Sequence, residues 1–142
     1  MRFLDTNVLL YLVSTAPEEA GKAEVAAAVL ESGDLALSVQ VLLEFYAQAT
    51  RTRPSGRAGL AHEQAVALIE AFQRFPVQET TAELLQAALA TKKRHQISIW
   101  DATIVEAARI SGCDVILSED LSHGQSYGGV RVVNPFRRPA RS

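Results

Sequence analysis

The chain has 142 residues, of which 48% are apolar and 21% charged, and its net charge is −2. A chain of this size buries roughly 68–70% of its unfolded surface, so a single hydrophobic core suffices and a disordered polymer is excluded. The slight acidity argues against a protein that coats nucleic acid, and the single cysteine, Cys113, excludes an internal disulfide.

Arg2-Phe3-Leu4-Asp5 reads as a short buried strand that stops at a carboxylate. A helix opens near Thr6-Asn7, with Val8 to Val13 as its apolar body. Thr15 and Glu18 fit a capping box, with Pro17 in the first turn, and predict a second helix that Gly33 closes. Leu35 to Ser38 is strand-like, and from Val39 to about Arg51 the apolar residues Val41, Leu42, Phe45 and Ala49 fall on one helical face. Arg53-Pro54-Ser55-Gly56 breaks the chain into a loop.

Ala65, Leu68, Ile69 and Phe72 mark another amphipathic helix, followed by a brief apolar piece at Val77. Thr80 and Glu83 form a second capping box ahead of Leu84, Leu85, Ala88 and Leu89. Ser98 and Asp101 open one more helix, which Gly112 ends, and Asp114 to Ser118 is the clearest buried strand. A Gly- and Ser-rich loop and a last strand at Val130 to Val133 complete the pattern. Strands separated by helices predict a single α/β domain with a short central parallel sheet flanked by helices on both faces. Ligands of such folds collect outside the carboxyl ends of the strands, where Asp5 and Asp120 fall.

Each acidic candidate also has a structural explanation. Asp5 suits a helix N-cap, although Thr6 and Asn7 are equally able to cap. Glu44 lies among Val41, Leu42, Leu43, Phe45 and Tyr46, where a carboxylate is costly unless paired or bound to metal; otherwise it shares an exposed stripe with Gln40 and Gln48. Asp101 occupies the third position of a helix opened by Ser98, between Ile97, Ile99 and Trp100, which should pin that helix mouth against the core. Asp120 follows Ser118 and Glu119 after the strand, and Glu119 competes for the same role. Three basic groups, at Arg51/Arg53/Arg57, Lys92 to His95 and Arg137/Arg138/Arg141, are either solvated ends or phosphate contacts.

The run Leu4-Asp5-Thr6-Asn7-Val8-Leu9-Leu10 resembles the opening of PIN domains, in particular the VapC-type toxins of bacterial toxin–antitoxin pairs. The resemblance continues through Ser38, Glu44-Phe45, Ser98-Ile99-Trp100-Asp101-Ala102, Ile116-Leu117-Ser118-Glu119-Asp120 and Val132-Val133-Asn134-Pro135-Phe136. It implies a PIN fold over residues 1–136 with a basic tail at 137–142. It further implies an endoribonuclease dependent on Mg²⁺ or Mn²⁺ that leaves a 5′-phosphate and a 3′-hydroxyl. Asp5, Glu44, Asp101 and Asp120 match the family's acidic positions, and Thr6, Asn7, Ser38 and Ser118 match positions that support the site by hydrogen bonds.

Asp5 and Asp101 are therefore expected to contact the principal metal, while Glu44 and Asp120 position waters or complete a second metal site. The expected partners are an RNA substrate, a cognate antitoxin and a second copy of the chain. With no membrane-length apolar run and no signal-peptide pattern, the expected setting is the cytoplasm. Two rivals remain. One is a non-catalytic PIN-like module that binds RNA or protein. The other is a haloacid-dehalogenase-type phosphatase, which also has a strand ending in Asp but needs a second Asp where this chain has Asn7.

Overall fold

A computed structural model describes residues 1–54 and 58–137. Among them, six strands form one sheet in the order β3-β2-β1-β4-β6-β5. The strands are β1 (Arg2–Leu4), β2 (Leu35–Ser38), β3 (Val77–Gln78), β4 (Val115–Leu117), β5 (Ser126–Tyr127) and β6 (Val130–Val133). The helices are α1 (Thr6–Leu12), α2 (Ala20–Ser32), α3 (Val39–Ala49), α4 (His62–Phe72), α5 (Ala82–His95) and α6 (Ile99–Ile110).

Strands β3, β2, β1, β4 and β6 run parallel to one another, with Phe3 opposite Ala36 on one side and Ile116 on the other. Every residue of β2 is buried, because a central parallel strand is covered on both faces and reads as a continuous apolar run. The expected central parallel sheet is present, and one antiparallel edge strand is added to it. Inside the Gly- and Ser-rich loop lies β5, which pairs antiparallel with β6 through the turn at Gly128-Gly129. Both glycines have positive φ (58° and 92°), which suits so tight a reversal.

Two predicted caps also move. No side chain caps α2; a single 3₁₀ turn at Pro17–Glu19 precedes it, and Ser14 Oγ donates to Glu19 instead. Helix α5 is capped by Thr81, whose Oγ1 accepts from the Leu84 amide at 3.1 Å, one residue later than the Thr80–Glu83 box predicted. At its far end Gln96 takes a left-handed conformation (φ 55°), so Lys92 to His95 form the last turn, where basic side chains suit the helix dipole.

The core is centred on Phe3, Leu4, Leu9, Leu37, Phe45, Leu84 and Ile116, all fully buried, with Cys113 packed at its edge. Phe45 and Phe72 meet edge to face at 5.2 Å and join α3 to α4. Among the described residues no helix is long and apolar enough to cross a membrane. Arg57, Arg138 and Arg141, and hence most of the expected basic tail, lie outside the described residues.

Candidate functional site

The parallel register brings the carboxyl ends of β2, β1 and β4 side by side, and a cleft of about 620 Å³ opens beyond them. Asp5, Glu44, Asp101 and Asp120 all line it, from four separate segments of the chain.

Asp5 follows β1 directly and is the N-cap of α1. Its Oδ1 accepts from the Thr6 amide at 2.7 Å, and its Oδ2 accepts from Ser118 Oγ at 2.8 Å. Both bonds favour the ionised form, yet burial outweighs them, and with repulsion from Asp120 and Glu44 lifts the pKa from 3.8 to about 6. Asp101, in the first turn of α6 behind the Ser98 cap, is also raised above its ordinary value, by burial first and then by Asp120 and Glu44. The four carboxylates thus share one electrostatic field. No ion pair among the described residues neutralises any of them.

Glu44 is held from two sides. Thr6 Oγ1 donates to its Oε2 at 2.7 Å and Gln40 Nε2 donates to its Oε1 at 3.0 Å. The stripe read as exposed is therefore split: Gln40 is only 8% exposed and acts as a clamp, while Gln48 does face solvent. Asn7 Nδ2 donates to Asp120 Oδ2 at 3.1 Å, and Asn7 Oδ1 accepts from the Glu119 amide. The fully buried Ser118 accepts at Oγ from the amides of Asp120 and Leu121. Ser38 makes its hydrogen bond to the Val41 amide, so it fixes the helix that carries Glu44 and touches no carboxylate.

Glu119 and Asp120 part company. Glu119 accepts from Tyr11 Oη and, at 2.6 Å, from Lys22 Nζ. Burial pushes its pKa up, but these two donors outweigh it and leave it below the ordinary carboxylate range. Asp120 is left to Asn7 and the cleft.

Sequence reasoning gave Tyr11 and Lys22 no part in the site and placed Gln40 only on an exposed stripe; its spacing four residues before Glu44 was the one signal of a contact. Trp100 overturns an expectation, since it is 66% exposed and does not pin the helix mouth to the core. Arg53 lies on the cleft wall.

The donor set is chemically suited to a hard divalent cation, being four carboxylates with no competing soft ligand. Among the described residues no three such side chains form a ready-made protein-only cage. Any ion held there would have to keep several waters and touch one or two carboxylates, as Mg²⁺ usually does.

Residues 2–125 match the family profile of the PIN domain. No match was found among curated protein sequences. Several solved structures share the fold. A toxin–antitoxin complex from Klebsiella pneumoniae aligns with TM-score 0.68 and 18% identity over 95% of this chain and 98% of that one. VapC20 of Mycobacterium tuberculosis, described as a sarcin–ricin-loop-cleaving toxin, aligns with TM-score 0.62 and 24% identity over 84% and 92%. DNA-bound VapBC from Salmonella typhimurium aligns with TM-score 0.62 and 20% identity over 92% and 95%.

Proposed function

Because the chain belongs to the PIN domain family, we propose that it is a Mg²⁺- or Mn²⁺-dependent endoribonuclease and the toxin of a toxin–antitoxin pair. The observation that carries this reading is the convergence of Asp5, Glu44, Asp101 and Asp120 on one cleft, where among the described residues no cationic side chain pairs with them. Left alone, such a group repels itself and takes up protons.

Asp5 and Asp101 are the residues that would hold the ion, since burial and repulsion from Asp120 and Glu44 leave both with the most to gain from a positive charge. When bound, the cation supplies a more acidic water and a counter-charge for the phosphate. The chain's own residues do the positioning. Ser118 and the Thr6 amide fix both oxygens of Asp5, so its carboxylate is oriented before any ligand arrives. Thr6 and Gln40 fix Glu44 to orient a water, and Asn7 fixes Asp120. Arg53 at the rim meets the RNA phosphates that the acidic floor would repel.

The expected protein partner is an antitoxin. The Klebsiella relative is a toxin–antitoxin complex and the Salmonella relative a DNA-bound VapBC pair, which supports that reading. A homodimer is part of the same proposal.

The direct test is Mn²⁺-dependent cleavage of RNA by wild-type, Asp5→Asn and Asp101→Asn proteins. Each substitution should lower the rate at least about a hundredfold, since even losing a residue that only supports a metal ligand costs 10–100-fold. Full activity in both variants would overturn the assignment. Manganese binding that persists unchanged in Asp5→Asn would move the ion elsewhere.

A further inference from the structure

We infer that Trp100 and the groove beside it form a subsite for an unpaired RNA base flanking the cleaved phosphate; this rests on the ribonuclease reading above. Trp100 is the only tryptophan of the chain and the second residue of α6, and it immediately precedes Asp101. It lines two recesses at once, the carboxylate cleft and a second groove of about 340 Å³. A polymer whose phosphate enters the cleft therefore has a neighbouring recess, reached across a flat aromatic face.

The chemistry of that recess selects a base over a phosphate. Its remaining walls are mainly apolar, from Ala82, Leu85 and Ile99 beside Gln40, Thr81 and Thr103, and no charged side chain lines it. A phosphate would find no counter-charge there. A base would find the flat indole to stack on and aliphatic side chains to lie against, while Gln40, Thr81 and Thr103 already spend their hydrogen bonds within the protein. Unpaired RNA bases are commonly held by such stacking on aromatic rings. The acidity of the adjoining cleft makes such a hold useful, because stacking needs no cation and tolerates any base.

Gln40 links the two regions. It lines the groove while its Nε2 donates to Glu44, so an occupant of the groove lies against the clamp that orients a cleft carboxylate. The fold itself has little use for the indole where it stands, exposed at the mouth of α6.

The experiment combines steady-state cleavage of a single-stranded RNA by wild-type, Trp100→Ala and Trp100→Phe with the fluorescence of the lone indole in cleavage-deficient Asp5→Asn. Trp100→Ala should raise KM about tenfold, with kcat within about threefold of wild type, and Trp100→Phe should recover most of the loss. The indole emission should be quenched by the RNA and far less by a matched oligonucleotide carrying abasic sites. An unchanged KM in Trp100→Ala would overturn the subsite, as would emission that ignores RNA bound in a parallel assay. If instead the groove is covered by a second copy, Trp100→Ala will convert dimers to monomers and RNA will leave the emission unaltered, which also overturns it. A wild-type protein that cuts no RNA defeats the nuclease reading and this subsite together; an active enzyme indifferent to Trp100 defeats the subsite alone.

Discussion

Asp5 is held by good hydrogen bonds and is nevertheless hard to ionise. The Thr6 amide and the Ser118 hydroxyl each stabilise its charge, but burial and the fields of Asp120 and Glu44 more than cancel them. Its folded pKa of about 6 lies above the ordinary 3.8. The folded state therefore holds this proton more tightly than the unfolded state does. Stability is highest below the ordinary value, falls as pH rises from about 4 to about 6, and stays low above that window. The shift corresponds to roughly 3 kcal/mol, at 1.36 kcal/mol per pKa unit. Asp5→Asn removes the ionisation while its amide oxygen still accepts from Thr6; its NH₂ meets a Ser118 Oγ that already accepts from two backbone amides, which sets the gain below the full shift. In chelator-treated protein this variant should thus be more stable than wild type at pH 8, by less than about 3 kcal/mol, with the gain gone at pH 4. Urea titrations at the two pH values check this, and equal stability at pH 8 would show that burial does not penalise Asp5.

At the scale of elements, the segment after β4 shows how one tight turn gives two adjacent carboxylates opposite duties. Lys22 of α2 and Tyr11 of α1 draw Glu119 toward the helices, while Asn7 draws Asp120 toward the cleft. Asp120→Asn should accordingly reduce RNA cleavage by more than about tenfold, as expected for a group that supports a metal site. Glu119→Gln should leave the rate within a few-fold and cost less than about 1 kcal/mol, because its partner Lys22 is substantially exposed. Parallel rate and melting measurements separate the two.

The same turn marks where sequence reasoning stops. The strand ends and the Ser98 cap were legible because each depends on a few consecutive residues. Glu119 against Asp120 was not, since Lys22 lies 97 positions away. Adjacent Thr80 and Thr81 offer equivalent caps, so the pattern alone left α5 uncertain by one residue. Strand β5 has two residues, too few to show alternation. Trp100 was misjudged because its isoleucine neighbours made the whole turn look buried, when only the direction of each side chain decides exposure.

On the scale of the whole molecule, the fold spends stability to assemble the site. The strand order β2-β1-β4 sets the Ser38, Asp5 and Ser118 segments beside one another, and α3 and α6 add Glu44 and Asp101, so that like charges gather where three strands end. A bound cation would reverse that cost, and because it binds only the folded chain it must raise the melting temperature. At a free Mn²⁺ concentration about a hundred times its dissociation constant the gain is about 2.7 kcal/mol, on the order of 8 °C for a domain of this size. The sign of its pH dependence follows from Asp5. Below a pKa of about 6 the ion has to displace a proton, so the upward shift should be large at pH 8 and small at pH 5. Asp5→Asn and Asp101→Asn should abolish most of it at either pH. Thermal denaturation of the three proteins with and without Mn²⁺ provides the measurement. A shift as large at pH 5 as at pH 8, or one unaffected by both substitutions, would place the ion away from these carboxylates.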